Sequence, residues 1–182
     1  MANSVSYFSD KSRLRQSIRE QLKKLTLDDR RRRSVVICEK LLPLLSGKKN
    51  IALFAPRRTE PDVDLLWESD LKKDRVLAYP RCDGQTMLFF AVCNLEELHP
   101  GKFGIREPDP VRIVERLDAI ILPGLAFTQT GIRMGQGAGF YDRFLEVARG
   151  ETIKIGVCFD FQVLKAIPRE EHDVNVDLVV YA

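Results

Sequence analysis

The sequence predicts an α/β fold in which a mainly parallel sheet is flanked by helices. Short apolar runs alternate along the chain with longer segments of helical period, a pattern typical of parallel strands joined by helices. The chain has 182 residues, 45% of them apolar, a size that suits one domain with a substantial core. We therefore expect a single domain over residues 1–182, with residues 1–10 as a loose leader.

Two amphipathic helices are predicted at the start of the chain. The first begins at Lys11. Its apolar positions, at helical spacing, are Leu14, Ile18, Leu22 and Leu25. The second should begin near Leu27, because Thr26-Leu27-Asp28-Asp29 resembles a capping box, and should end at Gly47. Its apolar face is expected to consist of Val35, Cys38, Leu42 and Leu45.

Arginines occupy four consecutive positions, 30 to 33, on the second predicted helix. Consecutive helical residues lie about 100° apart around the axis, so the four cannot form one face. We interpret them as a solvated basic surface. An RNA-binding protein is the alternative, but it would need interleaved aromatic residues and more than the net charge of +3. We therefore expect no nucleic-acid partner.

The rest of the chain alternates strands and helices. Strands are predicted over residues 51–55, 76–79, 87–92, 118–122, 153–159 and 178–181. Helices are predicted over residues 63–73 and 140–149, and a loop over residues 99–104. Ligands of parallel sheets bind beyond the carboxyl ends of the strands. Segments 55–60, 123–139 and 160–161 follow predicted strand ends, so they should converge on one site.

Cysteine usage and apolar patterning bear on the compartment. The cysteines at 38, 82, 93 and 158 form no Cys-x-x-Cys pair, so we expect reduced thiols and no zinc site. Residues 1–6 lack the basic and apolar parts of a signal peptide, and no apolar run approaches the length of a bilayer span. We expect a cytoplasmic protein that does not bind membranes.

The most informative segment is a glycine-rich loop after the strand at 118–122. Gly135, Gly137 and Gly139 alternate, so they leave backbone N–H groups accessible to a ligand. Successive N–H groups of this kind bind anions, and a helix beginning just after them adds its positive end. Asp142 then supplies a carboxylate oxygen, which Mg²⁺ prefers when it accompanies phosphates. The loop predicts a phosphate site with a metal carboxylate, and a flexible surface turn is the alternative.

Two better-known glycine motifs are excluded. A Walker loop ends in Gly-Lys-Ser/Thr, whereas Gly139 is followed by Phe140-Tyr141. A dinucleotide fingerprint would need glycine at position 140 or 142, where the chain has Phe140 and Asp142. Neither motif therefore identifies the ligand of this loop.

Five features in chain order resemble the 5-formyltetrahydrofolate cyclo-ligase family, also called 5,10-methenyltetrahydrofolate synthetases. They are Lys11-x-x-x-Arg15, Glu60 after the first strand, residues 103–108, the signature from Pro123-Gly124 to Tyr141-Asp142, and His172-Asp173. The resemblance implies a fold of the ribose-isomerase and CoA-transferase superfamily. It also implies ATP- and Mg²⁺-dependent conversion of 5-formyltetrahydrofolate to 5,10-methenyltetrahydrofolate, with release of ADP and phosphate. In that reaction the formyl oxygen attacks the γ-phosphate and N10 closes the ring, so no protein nucleophile is required.

The resemblance also implies roles for individual residues. ATP would be bound by Lys11, Arg15, Arg133, Met134, Gly135, Gln136, Gly137, Ala138, Gly139, Phe140 and Tyr141. The folate would be bound by Ala55, Glu60, Phe103 and residues 135–141 of the same loop. Mg²⁺ would be held by Asp142 and Asp173, with His172 positioning Asp173. Arg133 would clamp the transferring phosphoryl group and so act in catalysis.

The glycine loop departs from the family pattern at Gln136 and Ala138. Many members have Gly or Lys where this chain has Ala138, so any cation needed there must come from Arg133, Lys11 or Arg15. Two alternatives stay open: a degenerate homologue that binds ATP or folate without turnover, and another kinase or ligase that uses the same loop. We expect small-molecule substrates and a monomer.

Overall fold

Three α-helices are present in the computed structural model, which describes residues 4–147, 151–170 and 173–182, with side chains from Lys11 onward except that of Phe103. They are α1 (Ser4–Lys24), α2 (Leu27–Leu44) and α3 (Phe140–Val147). Residues 4–10, which we expected to be a loose leader, are helical, because no proline or glycine interrupts the chain before Lys11. Residues 1–3 and 148–150 lie outside the described part of the chain.

Helix α2 begins where the capping box predicts, with Thr26 accepting a hydrogen bond from the Asp29 N–H at 3.1 Å. Its predicted apolar face is partly wrong. The buried positions are Ser34, Ile37, Cys38, Leu41 and the following Leu45. Val35 is 39% exposed because Ser34 takes the inward position. There the Ser34 hydroxyl bonds to the Arg30 carbonyl at 2.7 Å and accepts the Asp62 N–H at 2.8 Å.

The arginine run is not wholly solvated, contrary to our interpretation. Arg30 donates to the carbonyls of Glu60 and Arg57 at 2.7 and 3.3 Å. Arg33 pairs with Asp160 at 2.7 Å. These two side chains therefore fix loops at strand ends, while the other two arginines of the run are exposed.

After α2, the described part of the chain contains ten β-strands. They are β1 (Asn50–Ala52), β2 (Val76–Asp83), β3 (Thr86–Val92), β4 (Leu98–Pro100), β5 (Arg106–Pro108), β6 (Ala119–Pro123), β7 (Ala126–Phe127), β8 (Arg133–Met134), β9 (Ile153–Cys158) and β10 (Leu178–Tyr181). Six form a sheet in the order β10-β9-β6-β1-β2-β3, in which every neighbouring pair is parallel except β2 and β3. β4–β5 and β7–β8 form separate antiparallel ribbons.

The predicted elements differ from the observed ones in the segments that connect the strands of the main sheet. Residues 63–73 form two short 3₁₀ helices, Val63–Glu68 and Asp70–Lys72, instead of one α-helix. Ser69 divides them, since its side chain accepts the Leu71 N–H at 3.2 Å and so caps the second. β4 overlaps the start of the predicted loop, and β5, β7 and β8 were not predicted because two or three residues carry no readable periodicity.

The core occupies both faces of the sheet. On one face α1 and α2 bury Ile18 and Leu41 against strand residues such as Ile121. On the other, Leu145 of α3 packs with Ile120 and its neighbours. Successive residues of β6 therefore face opposite layers, as a strand requires. The expected α/β fold with a mainly parallel sheet between helices is confirmed. No helix within the described ranges is long and apolar enough to cross a membrane.

Candidate active site

A cavity of about 180 Å³ opens beyond the carboxyl ends of β1 and β6. The chain runs from β1 toward β2 on one side and later enters the other half of the sheet at β6, so the cavity lies at the topological switch point. The segment after β1, the strands β2 and β5 and the glycine loop all contribute walls. The volume is below the ~300–1,000 Å³ of typical whole-ligand sites, so the cavity itself suits one end of a ligand.

Ala55 and Glu60 line the wall that follows β1. The Glu60 carboxylate accepts the Arg57 N–H at 2.9 Å through Oε2, and Arg30 of α2 holds the same turn by its carbonyls. Burial raises the pKa of Glu60, while the hydrogen bond from the Arg57 backbone opposes that shift. Within the described residues Oε1 has no hydrogen-bond donor, so Glu60 can accept one from a ligand.

The glycine loop connects β8 to α3 on the opposite wall. Gly137 and Gly139 have φ of 108° and 68°, a left-handed conformation that side chains with a Cβ avoid. Gly137 and Ala138 are exposed, and α3 begins immediately after Gly139. Ala138 is not among the described residues with positive φ, so its methyl group is accommodated without backbone strain. The loop therefore presents backbone toward solvent and toward the cavity at the start of a helix.

Most of the loop residues predicted to bind ligand border the cavity. Those that do are Arg133, Gly135, Gln136, Ala138, Gly139, Phe140 and Tyr141. Met134 does not, because its side chain is buried in the core. Burial raises the pKa of Tyr141, with Glu60 as the next cause, so its hydroxyl stays protonated. Phe103 belongs to a short 3₁₀ helix, but its side chain lies outside what the structure describes.

Arg133 is buried beneath the glycine loop and is only 4% exposed. One terminal nitrogen donates to the Pro123 carbonyl at 3.0 Å, and the other pairs with Asp142 at 2.7 Å. The guanidinium also lies over the Tyr141 ring, 5.6 Å from its centroid. Arg133 Nε has no hydrogen-bond partner within the described chain. The side chain is thus held in one orientation, and each terminal nitrogen keeps a second N–H beyond the bond it makes.

Helix α1 reaches the loop through two arginines. Arg15 Nε donates to the Gly135 carbonyl at 3.3 Å. Arg19 donates to the carbonyl and the side-chain oxygen of Gln136, both at 3.2 Å. The sequence analysis missed Arg19, although its spacing of four residues from Arg15 places both on one helical face. Gln136 is therefore part of a contact between α1 and the loop.

Lys11 and Asp173 form a buried ion pair at 2.9 Å, and Glu170 also pairs with Lys11 at 3.2 Å. The exposed fractions of the Lys11 and Asp173 side chains are 6% and 12%. This pair joins α1 to the segment before β10. His172, predicted to position Asp173, lies outside the described residues.

The carboxylates predicted to hold Mg²⁺ do not form a cage. Among the described residues, no three His, Cys, Asp or Glu side chains are grouped as metal ligands would be. Asp142 borders the cavity and uses only Oδ1 for Arg133, which leaves Oδ2 available. A Mg²⁺ ion carried on nucleotide phosphates needs only one or two protein carboxylates. Asp142 therefore fits an ion that arrives with a phosphate ligand.

The chain is similar to known proteins over most of its length. The model of the 5-formyltetrahydrofolate cyclo-ligase family matches residues 8–182. A mouse protein named 5-formyltetrahydrofolate cyclo-ligase is 28% identical over 196 aligned residues, covering 97% of this chain and 96% of its own. The Escherichia coli K12 protein of that name is 32% identical over 130 residues, covering 67% of this chain and 69% of its own.

A solved structure is similar over almost the same length. The NMR structure of Aquifex aeolicus 5,10-methenyltetrahydrofolate synthetase has a TM-score of 0.83 and 35% sequence identity, covering 94% of this chain and 89% of that chain. The sequence match, the relatives and the shared fold agree over nearly the whole length. The chain therefore belongs to the 5-formyltetrahydrofolate cyclo-ligase family of enzymes.

Proposed function

We propose that the chain catalyses ATP- and Mg²⁺-dependent cyclisation of 5-formyltetrahydrofolate to 5,10-methenyltetrahydrofolate, with release of ADP and phosphate. The observation that carries this proposal is the placement of two unlike groups on one cavity. Glu60, a buried carboxylate, lies on the wall after β1, and the glycine loop with Arg133 forms the opposite wall. Such a cavity can hold an N–H-rich ring beside a phosphate.

The folate ring would bind at the Glu60 wall. Its pterin presents adjacent N–H donors, and an ionised carboxylate accepts such donors well. Ala55 is small and buried there, so it leaves room for a flat ring. Tyr141 offers an aromatic face beside Glu60, and Phe103 is proposed as a further wall on the family resemblance alone.

ATP would bind along the glycine loop. Backbone N–H groups of residues 135–139 and the planar fork of Arg133 would hold phosphate oxygens. Arg15 makes one long contact with the loop, so its terminal nitrogens can turn to a phosphate. Lys11 lies one helical turn before Arg15, and ATP would have to draw it from Asp173 and Glu170.

The chemistry then follows from positioning and charge neutralisation. The formyl oxygen forms a bond to the γ-phosphorus as the bond to the bridging oxygen of ADP breaks. N10 attacks the activated formyl carbon and loses its proton, and the carbon–oxygen bond breaks as phosphate leaves. Arg133, buried and fixed in orientation, would stabilise charge on the transferring group.

Mg²⁺ would be held by Asp142 together with the nucleotide phosphates, and it would neutralise phosphate charge when bound. Asp173 was predicted as the second ligand. In the structure its Oδ2 is bonded to Lys11 and to the Glu170 N–H, so it would have to exchange Lys11 for the ion. We further propose that the enzyme acts as a monomer in the cytoplasm, where its cysteines stay reduced.

The test is to mix the purified protein with MgATP and 5-formyltetrahydrofolate and to follow the absorbance of the methenyl product. The proposal predicts product only when ATP is present. If the folded protein binds both ligands in separate titrations but forms no product, it is instead a degenerate homologue that binds without turnover. Product from another phosphate acceptor would indicate a different kinase or ligase.

A further inference from the structure

Glu107 is a second buried carboxylate of the cavity, and none of the roles proposed above uses it. It is 7% exposed, compared with 9% for Glu60, and it borders the cavity on the side of β5. Glu107 lies in the segment 103–108 that carries part of the family resemblance, but no role was predicted for Glu107 itself.

Glu107 has no cationic partner within the described part of the chain. Its one hydrogen bond is accepted from the Cys82 N–H, at 3.3 Å. Arg106 pairs with Asp64, and Arg81 donates to the Pro108 carbonyl at 2.8 Å. Lys102 borders the same cavity, but its ion pair in the described structure is an exposed one with Asp83 at 3.9 Å. An ionised group that is buried without a partner is costly to retain. A ligand that donates to it would offset that cost.

The position of Glu107 is built into the fold. β5 places it opposite His99 of β4. A Cβ at Gly101 would come within 2.5 Å of the Glu107 side chain, so the glycine there leaves the carboxylate its space. The bond from Cys82 joins it to β2, which is part of the main sheet. The carboxylate is therefore held on a rigid framework.

We propose that Glu107 is a second substrate-binding residue, which accepts a hydrogen bond from an N–H group of the folate ring system. This inference rests on the proposed function, and it assigns the folate a second anchor on the wall away from Glu60. A reduced pterin carries N–H donors on more than one edge, so one carboxylate cannot serve them all. Glu107 also repels phosphate, which keeps the triphosphate at the glycine loop.

The experiment compares E107Q with the exposed control E115Q by calorimetric titration of 5-formyltetrahydrofolate and of ATP separately. Loss of a hydrogen bond to a charged group corresponds to a weakening of about tenfold or more in the affinity. We expect this weakening for the folate with E107Q, an unchanged affinity for ATP, and wild-type behaviour of E115Q. The melting temperature of ligand-free E107Q should not fall below that of the wild type, because glutamine has nearly the same shape and keeps an acceptor for the Cys82 N–H.

If Glu107 had only a structural role, E107Q would change the melting temperature and the two affinities differently. A lower melting temperature with equal weakening of both ligands would overturn the proposal, and so would an unchanged folate affinity. As a second readout, the folate but not ATP should protect Cys82, which borders the same wall, from alkylation in the wild-type protein. Wild-type protein that binds folate without turnover would contradict only the proposed function, whereas absence of folate binding would contradict both.

Discussion

Arg133 donates to Asp142 at 2.7 Å, and this ion pair joins the strand before the glycine loop to the first turn of the helix after it. The other terminal nitrogen of Arg133 holds the Pro123 carbonyl at the end of β6. One side chain therefore fixes the two ends of the loop relative to a central strand. We expect substitutions at either partner to affect the phosphate site first.

Replacement of Arg133 by lysine should lower kcat by about 10²-fold or more, because lysine keeps the charge but not the planar fork. The same change should also destabilise the fold, since it weakens a buried ion pair. Steady-state kinetics and thermal unfolding measure the two effects. R31K is a suitable control, because Arg31 is exposed on α2 and is not among the residues that line the cavity. Wild-type kcat in R133K would remove Arg133 from the chemistry.

Asp142→Asn should raise the Mg²⁺ concentration needed for half-maximal turnover, because an amide is a poorer ligand for Mg²⁺ than a carboxylate. The asparagine oxygen can still accept from Arg133, so the loop should stay folded. Alanine would leave Arg133 without its partner and confound the result. The measurement is a Mg²⁺ titration at fixed ATP, with D177N as control, since Asp177 bonds the Lys154 N–H away from the cavity. An unaltered Mg²⁺ requirement in D142N would contradict the metal role.

Folate binding should weaken at acid pH because of Glu60. Burial raises the pKa of Glu60 above its ordinary value of 4.5, although Arg57 and Arg30 lower it and Tyr141 lies nearby. The folded protein thus binds a proton here at a pH where an exposed glutamate is ionised. As pH falls through that window the acceptor is lost and KM for the folate rises.

The control is E60Q, which cannot titrate at this position. It should raise KM for the folate at neutral pH and flatten the acid limb, with KM for ATP unaffected. Folding stability depends on pH in the opposite direction from folate binding. A raised carboxyl pKa favours folding at low pH, and this contribution is lost as pH rises through the pKa of the folded state. E60Q should therefore be no less stable than wild type at neutral pH. An acid limb that persists in E60Q would assign it to another group.

Arg19→Ala should raise KM for ATP several-fold with little change in KM for the folate, because Arg19 holds Gln136 of the loop from α1. The contact is exposed, so an effect of roughly 1 kcal/mol or less is expected. R13A is the matched control, as Arg13 is an exposed residue of the same helix with no hydrogen bond in the described structure. If Q136A and R19A have fully additive effects, the two residues do not act together.

The fold could be predicted from the sequence wherever periodicity was strong. The strand at 178–181 and the start of α2 at the N-cap Thr26 are confirmed, because apolar runs and capping side chains act locally. The break of the predicted helix at Ser69 and the burial of Ser34 were not predicted. Both depend on side-chain hydrogen bonds that a hydrophobic pattern does not encode: a local one from Ser69 to the Leu71 N–H, and a distant one between Ser34 and the Asp62 N–H.

The candidate site, like the fold, was predicted only in part from the sequence. The glycine loop, Glu60 and Arg133 converge on one cavity as the strand-end argument predicted. Residues 160–161, expected at the same place, do not border it, and Asp160 pairs instead with Arg33 of α2. The partners of its charged residues could not be read from the sequence, because Arg133–Asp142 and Lys11–Asp173 connect separate elements. Glu107 lies in the segment 103–108 and Arg19 shares a helical face with Arg15, but neither position by itself indicates a contact with the site.

The most direct test of the account is to place ¹⁸O in the formyl oxygen of 5-formyltetrahydrofolate and to analyse the phosphate released with MgATP. Phosphorylation of that oxygen predicts one labelled oxygen in each phosphate, with ADP and methenyl product formed in equal amounts. Methenyl product accompanied by unlabelled phosphate would contradict the account, because the formyl oxygen would then leave as water rather than on phosphorus.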